Sequence, residues 1–239
     1  MPSGPDFMRI RAALAASLHF RGLPAEDLDR LAALGRLRTL EDGELVLPAG
    51  SPQKDLWIVV EGCLRLSTVT RAGKEFLYAM IGPGNYFGLG SVLRGKSPPS
   101  DAHAAGRTTL AVLDGPALLA LFDERPRLWR HMANLIYMRL TLAMVTLRDV
   151  NVAPLPQRIV RRLLGHAIST GQDVAASATV ELRLTQGELG RMLATSRSRV
   201  NGALKTMEKS GLVKVGYRTI TLADLPRMRE LAGADLFSF

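Results

Sequence analysis

The chain has 239 residues, 47% hydrophobic and 22% charged, enough for one large or two ordinary domains with real cores. A single cysteine, Cys63, excludes an intramolecular disulfide and a four-cysteine zinc or iron–sulfur site within one chain, and the absence of an apolar run of about 18 residues argues against a membrane partner. The net charge of +9 favours a polyanionic partner, and its placement is uneven: from Val152 onward there are 13 Lys+Arg against 7 Asp+Glu. The N-terminal stretch MPSGPDFMRIRAALAASLHF has a broken apolar pattern with Asp6 in it, so it does not read as a signal peptide and the expected location is the cytoplasm. His19, His103, His131 and His166 are scattered without an i, i+4 pair, so neither a metal nor a cofactor is expected.

Residues from about 9 to 35 read as helices, with Pro24, Glu26 and Asp27 at a start, Leu28, Leu31 and Leu34 behind them, and Gly35 as a stop. From Leu37 to Leu113 the period changes. Glycines and prolines punctuate the runs LWIVV, CLRLSTV, EFLYAMI and TLAVL, each β-branched and apolar, which predicts a small all-β barrel or roll. TRAGKE, Thr70 to Glu75, reads as a hairpin tip. Cys63 falls in one of the strand runs and reads as a buried, inert thiol.

A long helical segment spans Pro116 to Val150, with Pro126 ending a short helix or beginning the long one. Leu128, Leu135 and Leu142 recur every seven residues, with Met138 and Val145 three residues after the last two. This a/d seam predicts pairing with a second copy, while Trp129, Met132 and Ile136 form another apolar stripe. NVAPLPQ, Asn151 to Gln157, reads as a linker. The domains expected are thus residues 1–115, a roll with N-terminal helices; 116–150, a dimerisation helix; and 151–239, a basic DNA-binding domain.

In the last domain, Ile159, Leu163, Leu164, Ala167 and Ile168 give a helix, and SATVELRLT alternates as a strand. Thr185-Gln186-Gly187-Glu188 has the Ser/Thr-x-x-Glu form of a capping box and opens a short helix to Leu193. Ala194-Thr195-Ser196 makes a turn, and a second helix runs from Arg197 to about Lys209, closed by Gly211. Two helices joined by three residues form a helix-turn-helix. LVKV and RTITL flank Gly216-Tyr217 as a hairpin, a wing with Lys214 and Arg218 near its tip.

At about 100° per residue, Val200, Leu204 and Met207 share one face of the second helix, while Ser198, Asn201, Gly202, Lys205 and Lys209 lie on or near the opposite side without an acid. Arg197 and Arg199 occupy the first turn, where the helix dipole disfavours cations unless a polyanion is present. Arg can make two hydrogen bonds to guanine and Asn two to adenine, and residues at this end of such a helix meet base edges in the major groove. The expected double-stranded-DNA contacts are Thr185, Gln186, Thr195, Ser196, Arg197, Ser198, Arg199, Asn201, Gly202, Lys205 and Arg218.

LTQGELGRMLATSRSRVNGALKTMEKSGLV resembles the winged helix-turn-helix of the Crp/Fnr family of bacterial transcription regulators, matching at Thr185, Glu188, Leu189, Gly190, Ser196, Arg197, Val200, Leu204, Met207, Gly211, Leu212 and Val213. LWIVVEGCLRLS is similar to the family's strand-Gly-strand unit and IGPGNYFGLGSVL to its phosphate-binding cassette. The resemblance spans roughly residues 20 to 222. It implies an α+β chain: a jelly-roll-like β barrel, a long central dimerisation helix and a C-terminal winged helix-turn-helix. It also implies a homodimer, DNA as ligand and RNA polymerase as partner. Arg197 matches the family's base-reading arginine. Ser198 stands where a Glu is usual and Gly202 where many members have Arg, which implies a different half-site.

The cassette also departs from the family. Cyclic-nucleotide binders carry F-G-E-[LI]-[GA] and then R-[ST]-A, the Glu for the ribose and the Arg for the phosphate. Here the residues are Phe87, Gly88, Leu89, Gly90 and Ser91, then Ser100 and Asp101. Leu89 lacks the carboxylate, no arginine follows, and Asp101 is expected to repel a phosphate. The effector expected is a small molecule other than cyclic AMP, or none. The alternative is a cupin-like enzyme in the roll. That chemistry wants two or three histidines with a carboxylate, and only His103 lies there, so the chain is read as no enzyme.

Overall fold

A computed structural model describes residues 4–17, 19–20, 22–71, 73, 75–175 and 177–233, with the side chains of 142, 150 and 151 excepted. The chain divides into two compact units, Met1–Val69 with Tyr78–Ala133, and Thr70–Leu77 with Asn134–Phe239. Among the described residues no helix is long and apolar enough to cross a membrane.

In the first unit, α1 (Pro5–Ala16) begins with Pro at its first turn and buries Ile10 and Leu14. A break at 17–24 precedes α2 (Ala25–Ala33), which buries Leu28, Leu31 and Ala32. Gly35 does not end a helix, as its position after Leu34 predicts. It opens β1 (Gly35–Leu40), where a Cβ would stand 2.9 Å from Ile10 Cδ1, so the missing side chain lets the strand pass under α1.

The roll expected from the punctuated apolar runs is present. β2 (Leu45–Leu47), β3 (Leu56–Glu61), β4 (Leu64–Val69), β5 (Glu75–Ile81), β6 (Tyr86–Phe87), β7 (Asp101–Ala104) and β8 (Thr108–Leu113) join β1 in two four-stranded antiparallel sheets, ordered β1-β8-β3-β6 and β2-β7-β4-β5. Leu40, Val59, Leu64, Leu110, Val112 and Ala102 belong to the buried cluster between them. Cys63 sits in the turn between β3 and β4 and is half-buried, because Gly62 at φ +83° ends the strand one residue earlier. Gly62 is required there, since a Cβ would lie 2.5 Å from the Arg107 carbonyl.

After α3 (Leu89–Arg94), Asp114 caps α4 (Gly115–Glu124) by accepting from Ala117 N–H. Pro126 then starts α5 (Pro126–Val152). The second unit adds α6 (Leu155–Ser169), β9 (Val180–Leu182), α7 (Gln186–Met192), α8 (Arg197–Lys209), β10 (Val213–Gly216), β11 (Thr219–Leu222) and α9 (Leu225–Ala232). The stretch 151–157 read as a linker is mostly helical: α5 runs to Val152 and Pro154 is the N-cap of α6. Pro tolerates that position because a first-turn N–H has no intrahelical partner. β9, β10 and β11 form a three-stranded antiparallel sheet in the order β10-β11-β9. Its core contains Ile159, Leu163, Leu189, Val200, Leu204, Ile220, Leu222 and Met228.

Candidate nucleic-acid interface

The helix-turn-helix is built from caps. The Thr185 hydroxyl accepts from Glu188 N–H and donates to Glu188 Oε2 at 2.7 Å, while Thr185 N–H donates to the same carboxylate at 2.8 Å. The capping box is therefore closed, and the hydroxyl hydrogen is unavailable to phosphate. That corrects the expectation of a side-chain donor at Thr185. Gln186, in the next position, remains half-exposed. At the other end of α7, Ala194 adopts φ +50° and Thr195 N–H donates to Gly190 O at 2.9 Å. A Cβ on Gly190 would meet the Thr195 carbonyl at 2.9 Å, so the tight crossing of α7 and α8 requires glycine.

Ser196 caps α8 by accepting from Arg199 N–H. Val200, Leu204 and Met207 are buried, while Arg197, Ser198, Arg199, Gly202 and Lys205 are exposed; Thr195 and Asn201 are half-buried. A Cβ at Gly202 would meet nothing within 4 Å, so a groove can come close to that face. Sequence reasoning passed over Glu208, which is exposed on the flank of α8. Its carboxylate accepts from Val215 N–H at 2.9 Å and ties the wing to the helix. The wing tip is the pair Tyr217-Arg218, with Arg218 at φ +56° and exposed.

Helix α6 supports this pair of helices from behind. Arg158 donates to Leu193 O at 2.8 Å and Arg162 to Met192 O at 3.3 Å, so two guanidiniums satisfy carbonyls at the end of α7. Burial, and then the charge of Arg158, lowers the pKa of Arg162. Asp149 on α5 accepts from Arg161, which also donates to Ala232 O at 2.6 Å and so joins α5, α6 and α9.

His166 is buried, and burial lowers its pKa to about 4, with Arg162 adding to the shift and Glu188 opposing it. The neutral ring is the native form, whereas the unfolded chain takes up a proton near pH 6.5. Stability of this unit is therefore complete above that value and declines as pH falls toward about 4, by on the order of 3 kcal/mol. Urea unfolding followed by circular dichroism at pH 7 and pH 4 checks this. His166→Gln should lose clearly less stability over that interval; equal losses would remove His166 as the cause.

Helix α5 departs from the predicted seam. Leu128 is 0% and Leu135 6% exposed within the single chain, Val145 is half-buried, and the Leu142 side chain lies outside the described residues. Of the five, only Met138 is exposed. The unpaired heptad is another one: Tyr137 (68%), Leu140 (56%), Met144 (63%) and Leu147 (66%), at spacings of three, four and three, with Ala133 exposed four residues before. The shift follows from burial: the Leu128 stripe, with Met132, is covered by this chain and is unavailable to another.

In the roll, Phe87, Leu89 and Ser91 are buried, Gly88 and Ser100 half-buried and Gly90 exposed. Leu89 points an apolar side chain into the protein where a ribose-binding carboxylate would be required. Asp101 does not fill the expected repelling role. Ala102 and Ala104 belong to β7 positions facing the core, so Asp101 and His103 lie on the opposite face, and Asp101 accepts from Ala49 N–H at 2.6 Å. His103 is thus turned away from the roll interior that the enzyme alternative needs. His131 Nε2 is within 2.6 Å of the His19 carbonyl, a structural hydrogen bond. Among the described residues no three His, Cys, Asp or Glu side chains come together as a metal site.

Comparison with known proteins matches the two units' sequences separately. Residues 37–125 match the cyclic nucleotide-binding domain and residues 157–231 the Crp-like helix-turn-helix domain. The chain is 25% identical over 190 residues to the CRP-like cAMP-activated global transcriptional regulator of Mycobacterium tuberculosis, covering 80% of this chain and 85% of that one. It is 26% identical over 213 residues to the cyclic AMP receptor protein of Thermus thermophilus, covering 89% and 95%. Among solved structures, FixK2 of Bradyrhizobium japonicum superposes with a TM-score of 0.72 at 20% identity, covering 84% of this chain and 98% of that one.

Proposed function

The chain belongs to the Crp/Fnr family of transcription regulators, and from that premise we propose that it is a homodimeric, sequence-specific DNA-binding regulator acting in the cytoplasm. The observation that carries the reading is the first turn of α8. Two exposed arginines stand there on a capped helix, without a nearby carboxylate to neutralise them in the absence of a polyanion. In a dimer paired through the exposed α5 heptad, two copies of α8 enter successive major grooves about 34 Å apart. Arg197 reads a base edge, Arg199 contacts phosphate, and Ser198, Asn201, Gly202 and Lys205 face the groove. RNA polymerase is the further partner.

The roll takes a small effector other than cyclic AMP, or none. Buried Leu89 and the missing cassette arginine support that reading, because a cyclic phosphate needs a charge-assisted donor. The test is genome-wide mapping of bound sites, followed by binding to the recovered sequence with and without cyclic AMP. Arg197→Ala should cost about 1–3 kcal/mol per half-site and relax preference at one base pair in each. Unchanged preference would exclude Arg197 as the base reader, and tighter binding with cyclic AMP would overturn the effector assignment.

A further inference from the structure

Tyr217 has no structural reason for its position. It is 92% exposed, more than the other exposed large hydrophobic residues of the chain, and it stands at the tip of a hairpin whose shape is strictly held. Gly216 and Thr219 pair across a two-residue turn, Arg218 sits at φ +56°, and the Glu208 carboxylate holds Val215 N–H on α8. A ring carried outward on a rigid tip loses little conformational freedom when it meets a ligand.

The same tip forms one wall of a cavity of about 360 Å³, whose other walls include Thr185 and Gln186 of the α7 start and Arg197 of α8. Arg197 and Arg218 are the charged groups lining it, and no carboxylate does. The occupant that fits is a polyanionic strand with apolar sugar faces. A phenol matches both parts: its O–H donates to phosphate oxygen and its ring packs on deoxyribose.

Resting on the DNA-binding reading above, we propose that Tyr217 contacts the sugar–phosphate backbone of the strand beside each half-site. It adds affinity without reading sequence and clamps the strand between the wing and Arg197.

The test is fluorescence anisotropy with a labelled random-sequence duplex and with the mapped site, titrated over a range of salt. Tyr217→Ala should weaken both complexes by the same factor, about tenfold. The slope of log K against log salt should not change, because no charge is removed. Tyr217→Phe should fall between, keeping the ring but losing the donor. Arg218→Ala should instead reduce the slope by about 0.9.

Unaltered binding by Tyr217→Ala would overturn the proposal. A loss confined to the mapped site would make Tyr217 a base reader instead, and a lowered melting temperature in both variants would make its role structural; either result also overturns the backbone assignment. Failure of the unsubstituted protein to bind either duplex would remove the DNA-binding reading itself.

Discussion

Replacing Leu140 and Met144 together by Glu is expected to give a folded monomer whose affinity for its DNA site is down by at least about 100-fold. Both side chains are exposed in the single chain, so charge there costs the protomer within about 0.5 kcal/mol. In a paired helix the same positions face their copies, and four carboxylates would be brought together without a counter-charge. Losing the pair removes the second half-site. Two linked sites exceed the affinity of one by roughly 10²–10⁴ through effective concentration alone. Sedimentation equilibrium gives the mass, and anisotropy on the mapped site gives the affinity. Leu128→Ala and Leu135→Ala supply the contrast. Both residues are buried in the protomer, so each should cost about 2–5 kcal/mol of stability while the folded protein remains dimeric. A double Glu variant that stays dimeric, or a Leu128→Ala that is monomeric yet as stable as the parent, would return the seam to the Leu128 register.

The contrast between those two stripes marks how far the sequence could be read. Apolar spacing announced α5, but Leu128-Leu135-Leu142 and Tyr137-Leu140-Met144-Leu147 satisfy the same heptad rule. Which stripe the chain covers for itself depends on tertiary packing. The helix-turn-helix was legible for the opposite reason. Its caps are local, so Thr185, Glu188 and Ser196 announce their contacts within three residues. Asp101 was misjudged because a strand alternates every residue, and an offset of one exchanges core for solvent. β1 was passed over because Arg36 and Arg38 interrupt its apolar residues, and α9 because its short apolar pattern is mixed with Arg227, Arg229 and Glu230. A signal for α9 was present: Asp224 two residues before Pro226, the N-cap and proline of a helix start. Fold class and the recognition helix could thus be obtained from local chemistry. What local chemistry withheld was the set of partners that meet only after folding.

Asp27 is the most consequential of those. Its carboxylate, on the first turn of α2, is fully buried and accepts from Arg125 at 2.9 Å and Arg127 at 2.7 Å, residues 98 and 100 positions away. Glu26 takes a second hydrogen bond from Arg125. The cluster ties α2 to the start of α5, and nothing local in the sequence marks it. Burial alone would raise the pKa of Asp27, but hydrogen bonds from Arg127 and Arg125, together with their charges, outweigh it and hold the carboxyl below the ordinary Asp value. Asp27→Ala should therefore destabilise the first unit by about 3 kcal/mol, the low end for breaking a buried ion pair, because Arg125 keeps Glu26 and Arg127 is half-exposed. Asp27→Asn, which keeps the shape and an acceptor, should cost less. Both tryptophans, Trp57 and Trp129, lie in this unit, so urea unfolding followed by fluorescence reports on it. The sign of the pH dependence follows from the lowered pKa. The native carboxylate binds its proton more weakly than the unfolded one, so its contribution is complete above the unfolded value and is lost as pH falls through the native one. The gap between the parent and Asp27→Ala should hold from pH 7 to about pH 5 and close below about pH 4. A gap that persists undiminished at low pH would mean that Asp27 stabilises the unit by packing rather than by charge.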